Sequence, residues 1–200
     1  MEELRDKNGL TESEFLAQYD ASKYERPSVT VDIIIIKDGR ILLIKRGGHP
    51  CLGKLAFPGG FVDPNEDVYA AAVRELKEET GLDAVNLRQL HVASEPKRDP
   101  RTRIITVPFL ADIKDVNDLC AGDDAMSAKW YPFSYKKMHL NGVDIFEINI
   151  VDGEERKTTK VSCQKDKTGV RGDLVYKQIG VSCLAGDHAE IFANVLNNHF

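Results

Sequence analysis

A single change of hydrophobic period near residue 67 constrains the fold more than any other feature of the sequence. β-Branched residues dominate Ser28–Lys37, and an Asp-Gly pair then marks a two-residue hairpin turn into Ile41–Lys45. From Asp67 onward the apolar residues recur at helical spacing, and Gly81 is a suitable helix stop. The sequence therefore predicts a β-hairpin, a loop and a helix over 67–81, in that order.

Further strands and helices follow from the same patterns. A Thr-x-x-Glu capping box predicts a short helix over about 12–20. Strands are expected at Leu87–Ala93, Ile104–Ile113 and Ala128–Phe133, and a final amphipathic helix at His188–Leu196. The resulting order, β-β-α-β-β-α, does not alternate regularly. It predicts an α/β (α+β) fold, an α/β/α sandwich around a mixed β-sheet.

Length predicts one domain, because 200 residues suffice for a single buried core. We expect an N-terminal helical arm over 1–27 and an inserted β-hairpin over about 141–182. The insertion contains strand-like stretches around an Asp-Gly turn and a basic loop at Lys165–Gly172. It could act as a lid, supply a phosphate contact, extend a homodimer interface or elaborate the surface, and we favour dimerisation or surface elaboration over a lid.

Composition narrows the function classes. The net charge of −5 gives no general attraction to nucleic acid or acidic membranes, and the longest apolar run, Ile33–Ile36, is too short to span a bilayer. No signal peptide is visible, so a cytoplasmic location is expected. The four cysteines are scattered without a Cys-x-x-Cys pair, which predicts free thiols and argues against zinc.

Three glutamates crowd the end of the predicted helix over 67–81. Glu75, Glu78 and Glu79 repel one another there and face the negative end of the helix dipole. Such a charge run is usually a solvated surface. Here, however, the Pro58–Gly60 turn precedes the helix and leaves backbone exposed, and Glu66 adds a fourth carboxylate. Hard oxygen ligands of this kind suit Mg²⁺ or Mn²⁺.

The same stretch resembles the Nudix box. Gly60, Glu66 and the run Arg74–Leu82 match the defined positions of that 23-residue motif, within the strand–loop–helix context that it requires. The resemblance implies a Nudix-like fold and a Mg²⁺-dependent hydrolase of a nucleoside diphosphate linked to another moiety. It implies metal ligation by Glu75, Glu78, Glu79 and the Gly59 carbonyl. It also assigns catalysis to Glu75 and Glu79, with Arg74 holding the glutamate array.

The general base stays open at this stage. Some members of the family use the glutamate that matches Glu75, and others use an acid from a loop beyond the box. Asp123 and Asp124 are candidates of that second kind, as is Glu147 in the insertion. Turn formation is the competing interpretation of the two aspartates.

Residues outside the box bear on the substrate. Pro96 and the stretch Ser94–Ile113 resemble the ADP-ribose pyrophosphatase branch, which implies hydrolysis of ADP-ribose to AMP and ribose 5-phosphate. Arg98, Arg101 and Arg103 are the candidate contacts to this small nucleotide substrate, because arginine forks suit phosphate and ribose oxygens.

His188 and Trp130 are two other candidates for contact with the substrate, and for both we favour a structural role. We expect His188 to start a helix or to be a buried structural histidine. We expect Trp130 to pack in the core rather than stack on adenine.

Two alternatives to ADP-ribose hydrolysis remain. One is a pyrophosphohydrolase of nucleoside triphosphates or other nucleotide sugars. The other is a non-catalytic, ADP-ribose-sensing regulator, which the intact box argues against.

Overall fold

The computed structural model describes residues 3–114, 128–168 and 174–200. Three α-helices span Glu12–Gln18 (α1), Val68–Thr80 (α2) and His188–His199 (α3), and a 3-10 turn covers Ala21–Lys23. The ten strands are β1 (Ser28–Ile34), β2 (Ile36–Lys37), β3 (Arg40–Lys45), β4 (Leu55–Ala56), β5 (Ala84–Gln89), β6 (Ile104–Ile113), β7 (Lys129–Leu140), β8 (Val143–Asp152), β9 (Glu155–Lys165) and β10 (Leu174–Ile179).

The two predicted helix starts before residue 70 are confirmed. Thr11 accepts from the Glu14 amide, and the Glu14 side chain accepts from the Thr11 amide, which completes the capping box. Asp67 caps α2 through the amides of Tyr69 and Ala70, and Gly81 ends that helix in the left-handed conformation.

The predicted hairpin is also present. Asp38 and Gly39 have φ values of 50° and 70°, as a tight turn between β2 and β3 requires. The predicted strand over 28–37 is interrupted at Ile35, which lies between β1 and β2. The Ile35 carbonyl instead accepts a hydrogen bond from the Leu42 amide.

Two sheets form the centre of the molecule. One has the order β1-β6-β5, with β1 parallel to β6 and β5 antiparallel to it. The other has the order β10-β9-β8-β7-β3-β2, is antiparallel throughout, and carries β4 beside β3. Helix α2 packs on the first sheet and α3 on the second. This confirms the predicted mixed α+β sandwich.

Two strand boundaries differ from the prediction. The strand expected at Leu87–Ala93 lies at Ala84–Gln89, and the residues after it contact β6 only through isolated bonds, such as those between Ala93 and Thr106. The strand expected to end at Phe133 runs on to Leu140, because β8 pairs with it along its full second half. The strand-like stretches of the insertion form β8, β9 and β10, which continue the second sheet.

The two longer helices, α2 and α3, each close one hydrophobic core. Leu76 of α2 packs with Val31 and Phe109, whereas Phe192 of α3 packs with Phe57 and Phe146. Cys51, Cys163 and Cys183 are free thiols, as expected, and Cys120 lies outside the described residues. Within the described ranges, the helices are all too short or too polar to cross a bilayer.

Candidate active site

A cleft of about 450 Å³ lies where the two sheets and both large helices meet. Its walls come from β1, the Phe57–Phe61 loop, the glutamate-bearing side of α2, the segment Arg98–Arg101 and the first residues of α3. Segments that are far apart in the sequence therefore meet at the predicted motif, Gly60–Leu82.

Backbone hydrogen bonds hold the glycine loop against β1. The Val31 amide donates to the Gly60 carbonyl at 2.9 Å, and the Ile33 amide donates to the Pro58 carbonyl at 2.8 Å. Gly59 has φ +152°, and a Cβ on it would overlap the Val31 carbonyl oxygen. A Cβ on Gly60 would overlap the Glu75 carboxylate. Both positions therefore require glycine, for close approach to β1 and to the Glu75 side chain.

Arg74 organises the carboxylates of the box. Its Nε and Nη2 donate to the two oxygens of Glu66 at 3.1 and 2.6 Å, a two-point contact. Its Nη1 donates to Glu75 Oε1 at 2.8 Å and to Glu78 Oε2 at 3.0 Å. Nη2 also donates to the Phe61 carbonyl at 3.0 Å, which ties the loop to the helix. The Glu66 bonds hold the pKa of that carboxyl below its usual range.

Glu79 lies apart from this array and faces the glycine loop. Its Oε2 accepts a 2.9 Å hydrogen bond from the Gly59 amide. Loss of solvation is the main cause that raises the pKa of Glu79 to about 7, and the nearby charges of Glu75 and Asp32 add to it, whereas the Gly59 bond acts in the opposite direction. Desolvation raises the pKa of Glu75 as well. Two carboxylates thus lie side by side in the cleft at an electrostatic cost.

This donor set fits a hard divalent cation. Carboxylate oxygens of Glu75 and Glu79 share the cleft with the backbone of Gly59, and their mutual repulsion is what a +2 charge would relieve. In the part of the chain that the structure describes, no three His, Cys, Asp or Glu side chains form a ready-made metal cluster. Glu75 and Glu78 are instead ion-paired with Arg74.

The three predicted substrate arginines have different surroundings. Arg98 forms a two-point ion pair with Asp187 at 2.8 and 2.7 Å, and its side chain is only 7% exposed. Arg103 donates to the Ser94 carbonyl at 2.9 Å and does not line the cleft. Arg101 lines the cleft and is 45% exposed, with its guanidinium paired to Asp99.

The candidate bases outside the box are not brought to the cleft among the described residues. Asp123 and Asp124 lie outside the described ranges. Glu147 lies on β8 and forms ion pairs with Lys136 and Lys160, away from the cleft walls. Glu75 is therefore the one base candidate of the four whose place in the cleft the structure describes.

A buried acid that sequence reasoning missed lies in the cleft wall. Asp32 of β1 is 8% exposed and accepts from the Thr106 hydroxyl. His188 Nδ1 accepts from the Phe57 amide at 3.0 Å, so its Nε2 carries the proton, and Nε2 lies 3.4 Å from Asp32 Oδ1. The one available signal was an aspartate inside an otherwise apolar strand, Val31–Ile36.

The interpretations of His188 and Trp130 agree with the structure. His188 is the first residue of α3, and its ring stacks on Phe57 at 4.8 Å. It also lines the cleft, which sequence reasoning did not anticipate. Trp130 packs against the core on the α2 side of the molecule and is not part of the cleft wall.

Comparison with known proteins places these observations in a family. The NUDIX domain model matches residues 26–141. An ADP-ribose pyrophosphatase of Methanocaldococcus jannaschii is 49% identical over 108 residues, 54% of this chain and 63% of that protein. The ADPR responsive transcriptional repressor NtrR of Acinetobacter baylyi is 43% identical over 110 residues, 52% of this chain and 44% of that protein. The chain thus spans less than two thirds of either relative.

Structural comparison extends further along the chain. A MutT/nudix family protein from Enterococcus faecalis superposes with a TM-score of 0.66 at 32% identity, covering 94% of this chain and 70% of that one. The likeness therefore includes the fold beyond the matched domain model. Motif, cleft and comparisons agree, and the chain belongs to the NUDIX domain family.

Proposed function

We propose that this protein is a Mg²⁺- or Mn²⁺-dependent hydrolase that cleaves the diphosphate of a nucleoside diphosphate linked to another moiety. ADP-ribose is the substrate that we favour, with AMP and ribose 5-phosphate as products. One observation carries the proposal: Glu79 and Glu75 are desolvated together in a cleft beside the glycine loop. Two neighbouring desolvated carboxylates lower the stability of the fold, so the arrangement favours a site that binds a cation and a phosphate over a purely structural one.

The chain's own residues would bind and orient the reactants. Arg74 fixes Glu75 and Glu78 on one side, and the Gly59 amide fixes Glu79 on the other. Glu75, Glu78, Glu79 and the Gly59 carbonyl would hold the metal. When bound, the cation would neutralise charge on the diphosphate and so assist attack at phosphorus.

The bond changes are those of hydrolysis. A water oxygen bonds to one phosphorus of the diphosphate, the bridging P–O bond breaks, and the bridging oxygen leaves with the other phosphate. A carboxylate takes the proton that the water releases. Glu75 is our candidate for that base, because it lines the cleft and its raised pKa gives it greater proton affinity. Asp123 and Asp124 remain the alternative.

ADP-ribose is favoured over other nucleotides on two grounds. The relative from Methanocaldococcus jannaschii bears the name ADP-ribose pyrophosphatase at 49% identity, and the matched part of this chain includes the box. The cleft also extends from the glutamates to Asp187 and His188, which gives polar surface for a group beyond the diphosphate. A nucleoside triphosphate or another nucleotide sugar remains the alternative substrate.

A sensor is the second candidate function. Its specific support is the likeness to the repressor NtrR of Acinetobacter baylyi. Against it stands the complete carboxylate set, with Glu66, Glu75, Glu78 and Glu79 all present around Arg74 or Gly59.

We also propose that the insertion supports a homodimer rather than a lid. Among the described residues between 141 and 182, none lines the cleft. Met138, Leu140 and Ile179 project from one face of this part of the sheet by register, and each is at least 37% exposed. Apolar side chains on a sheet face can be covered by a second copy.

A substrate panel tests the hydrolase proposal. Purified protein with Mg²⁺ or Mn²⁺ is given ADP-ribose, NADH, other nucleotide sugars and nucleoside triphosphates, and products are identified by chromatography. We expect AMP and ribose 5-phosphate in equal amounts from ADP-ribose, with the highest kcat/KM of the panel. Preference for triphosphates would overturn the substrate, and no turnover with tight ADP-ribose binding would favour the sensor.

A further inference from the structure

An exposed phenylalanine at the cleft mouth has a cation placed over its ring. Phe61 follows the two glycines of the loop and is 45% exposed, and the Arg101 guanidinium carbon lies 5.5 Å from its ring centroid. That distance is within the range of a cation–π contact. Both side chains line the cleft, so the pair faces the space where a nucleotide would enter.

Arg101 is fixed in this position from its other side. Its Nε and Nη2 donate to the two carboxylate oxygens of Asp99 at 3.0 and 2.9 Å, and its own amide donates to Asp99 Oδ1 at 2.9 Å. The two-point ion pair sets the plane of the guanidinium. Asp99 occupies the Nε and Nη2 donors of Arg101. The flat face of the guanidinium therefore remains available to a ligand.

Phe61 is equally fixed through its backbone. Its carbonyl accepts from Arg74 Nη2 at 3.0 Å, and its backbone bridges to Thr30 of β1. The backbone that carries the ring therefore has a set position relative to the glutamate array that Arg74 holds. A planar group at Phe61 and a diphosphate near Glu75 could belong to one ligand.

The two neighbouring arginines, Arg98 and Arg103, are held by contacts within the protein, whereas Arg101 is available to a ligand. Arg98 is buried against Asp187, and Arg103 bonds to the Ser94 carbonyl, so both anchor the 94–103 loop. Trp130, the other aromatic residue considered for stacking, packs on the core away from the cleft. Of these four side chains, Arg101 alone offers an exposed planar face to the cleft.

We propose that Phe61 and Arg101 form the recognition site for the nucleobase, a purine ring that stacks on this pair while the diphosphate reaches the glutamates. Stacking on an aromatic side chain accepts any base with a π-face, and the guanidinium adds a cation–π contribution. The inference deepens the proposed function and rests on it only for the choice of a nucleotide ligand. It replaces a phosphate contact for Arg101 with a contact to the base.

Binding of two monophosphates tests this directly. AMP and ribose 5-phosphate both carry a ribose and a 5′-phosphate, but only AMP carries adenine, so a substitution that weakens AMP alone acts on binding of the base. Calorimetric titration in Mg²⁺ buffer requires no turnover. We expect wild-type protein to prefer AMP, and Phe61→Ala to lower AMP affinity by about 10- to 100-fold while ribose 5-phosphate binding stays within about twofold.

Matched variants separate stacking from damage to the fold. Phe15→Ala removes a phenylalanine of the same 45% exposure from α1 and should change neither affinity. Phe61→Tyr keeps an aromatic face and should retain AMP binding. Circular dichroism on each variant checks that the fold is intact.

Arg101→Met distinguishes the base from the phosphate. If Arg101 stacks on the base, the variant weakens AMP alone. An equal loss for AMP and ribose 5-phosphate would show that Arg101 recognises phosphate and would overturn the proposal.

Two further results would also overturn it: wild-type protein that binds both ligands equally, or Phe61→Ala that retains AMP. If ADP-ribose is not hydrolysed but AMP binding still depends on Phe61, base recognition stands and the hydrolase proposal fails.

Discussion

The Gly59 amide donates a 2.9 Å hydrogen bond to Glu79 Oε2, across 20 residues of sequence. The bond joins the glycine loop to the last turn of α2 and aims a desolvated carboxylate into the cleft. The same loop pairs with β1 through the Val31 and Ile33 amides, so these hydrogen bonds connect β1, the loop and Glu79.

Gly60→Ala should displace Glu75. The new Cβ would overlap the Glu75 carboxylate, and Arg74 would have to follow. A displacement of about 1 Å at a reacting group costs on the order of 100-fold in rate, so we expect a fall of that size in kcat. Gly48→Ala is the matched control, since a Cβ there meets nothing within 4 Å. Equal rates for the two variants would contradict the close approach.

Arg74→Lys should weaken metal binding without removing a charge. Lysine cannot make the two-point contact to Glu66 while also reaching Glu75 and Glu78. Loss of a residue that orients metal ligands lowers affinity by about 10- to 100-fold. Activity measured against Mg²⁺ concentration should shift by that amount, and Arg156→Lys, an exposed site on β9, should not shift it. An unchanged Mg²⁺ profile would show that Arg74 does not position the ligands.

Metal-free protein should lose stability as pH rises through neutrality. The pKa of Glu79 is about 7 in the folded chain against an ordinary value of 4.5, so the folded state binds the proton more tightly. The stabilising effect is complete below about 4.5 and is lost as pH rises to about 7, by about 1–3 kcal/mol. Thermal unfolding in EDTA from pH 5 to 8 measures it.

Glu79→Gln is the control for that experiment, because the amide does not titrate. We expect the pH dependence of its unfolding temperature to be flatter than that of the wild type. Parallel curves for the two proteins would show that Glu79 titrates normally. Metal affinity should have the opposite trend and rise with pH, because the ligand must lose its proton.

Leu140→Lys tests the role of the insertion. If the exposed face with Met138, Leu140 and Ile179 forms a dimer interface, the lysine should give a monomer in light scattering with unchanged kcat per site. Val85→Lys, at a similar 56% exposure on β5, should leave the oligomeric state unchanged. A wild-type protein that is already monomeric would contradict the interface.

Removal of residues 152–172 is not a clean alternative to that point substitution. The segment contains β9, whose Val161 and Cys163 are buried in the second core. A deletion would therefore damage the fold together with any interface.

The sequence predicts those parts of the site that local chemistry determines. The Asp67 cap, the Gly81 stop and the box carboxylates follow from short-range rules, and the structure has the cap and the stop where predicted. The hydrogen bond from the Gly59 amide to Glu79 is already long-range, and the sequence predicted only a role for the Gly59 carbonyl.

Pairings between distant residues could not be predicted. Arg98 and Asp187 are 89 residues apart, and only the folded chain shows that they form an ion pair in the wall of the cleft. Asp32 was not predicted as a site residue, because a strand pattern indicates which face of a sheet a residue lies on but not which residues surround it. His188, which lies beside Asp32, comes from the distant helix α3. The length of β7 depends on its pairing with β8, and local β-propensity does not predict that pairing.

We propose that Glu79 acts in metal-dependent hydrolysis, and a comparison of three proteins decides whether it does. ADP-ribose turnover is measured with saturating Mg²⁺ for wild type, Glu79→Gln and Glu12→Gln, the last an exposed glutamate on α1. The account predicts AMP and ribose 5-phosphate from wild type and Glu12→Gln, and a kcat lower by about 1,000-fold or more for Glu79→Gln. Near-normal turnover by Glu79→Gln would contradict it.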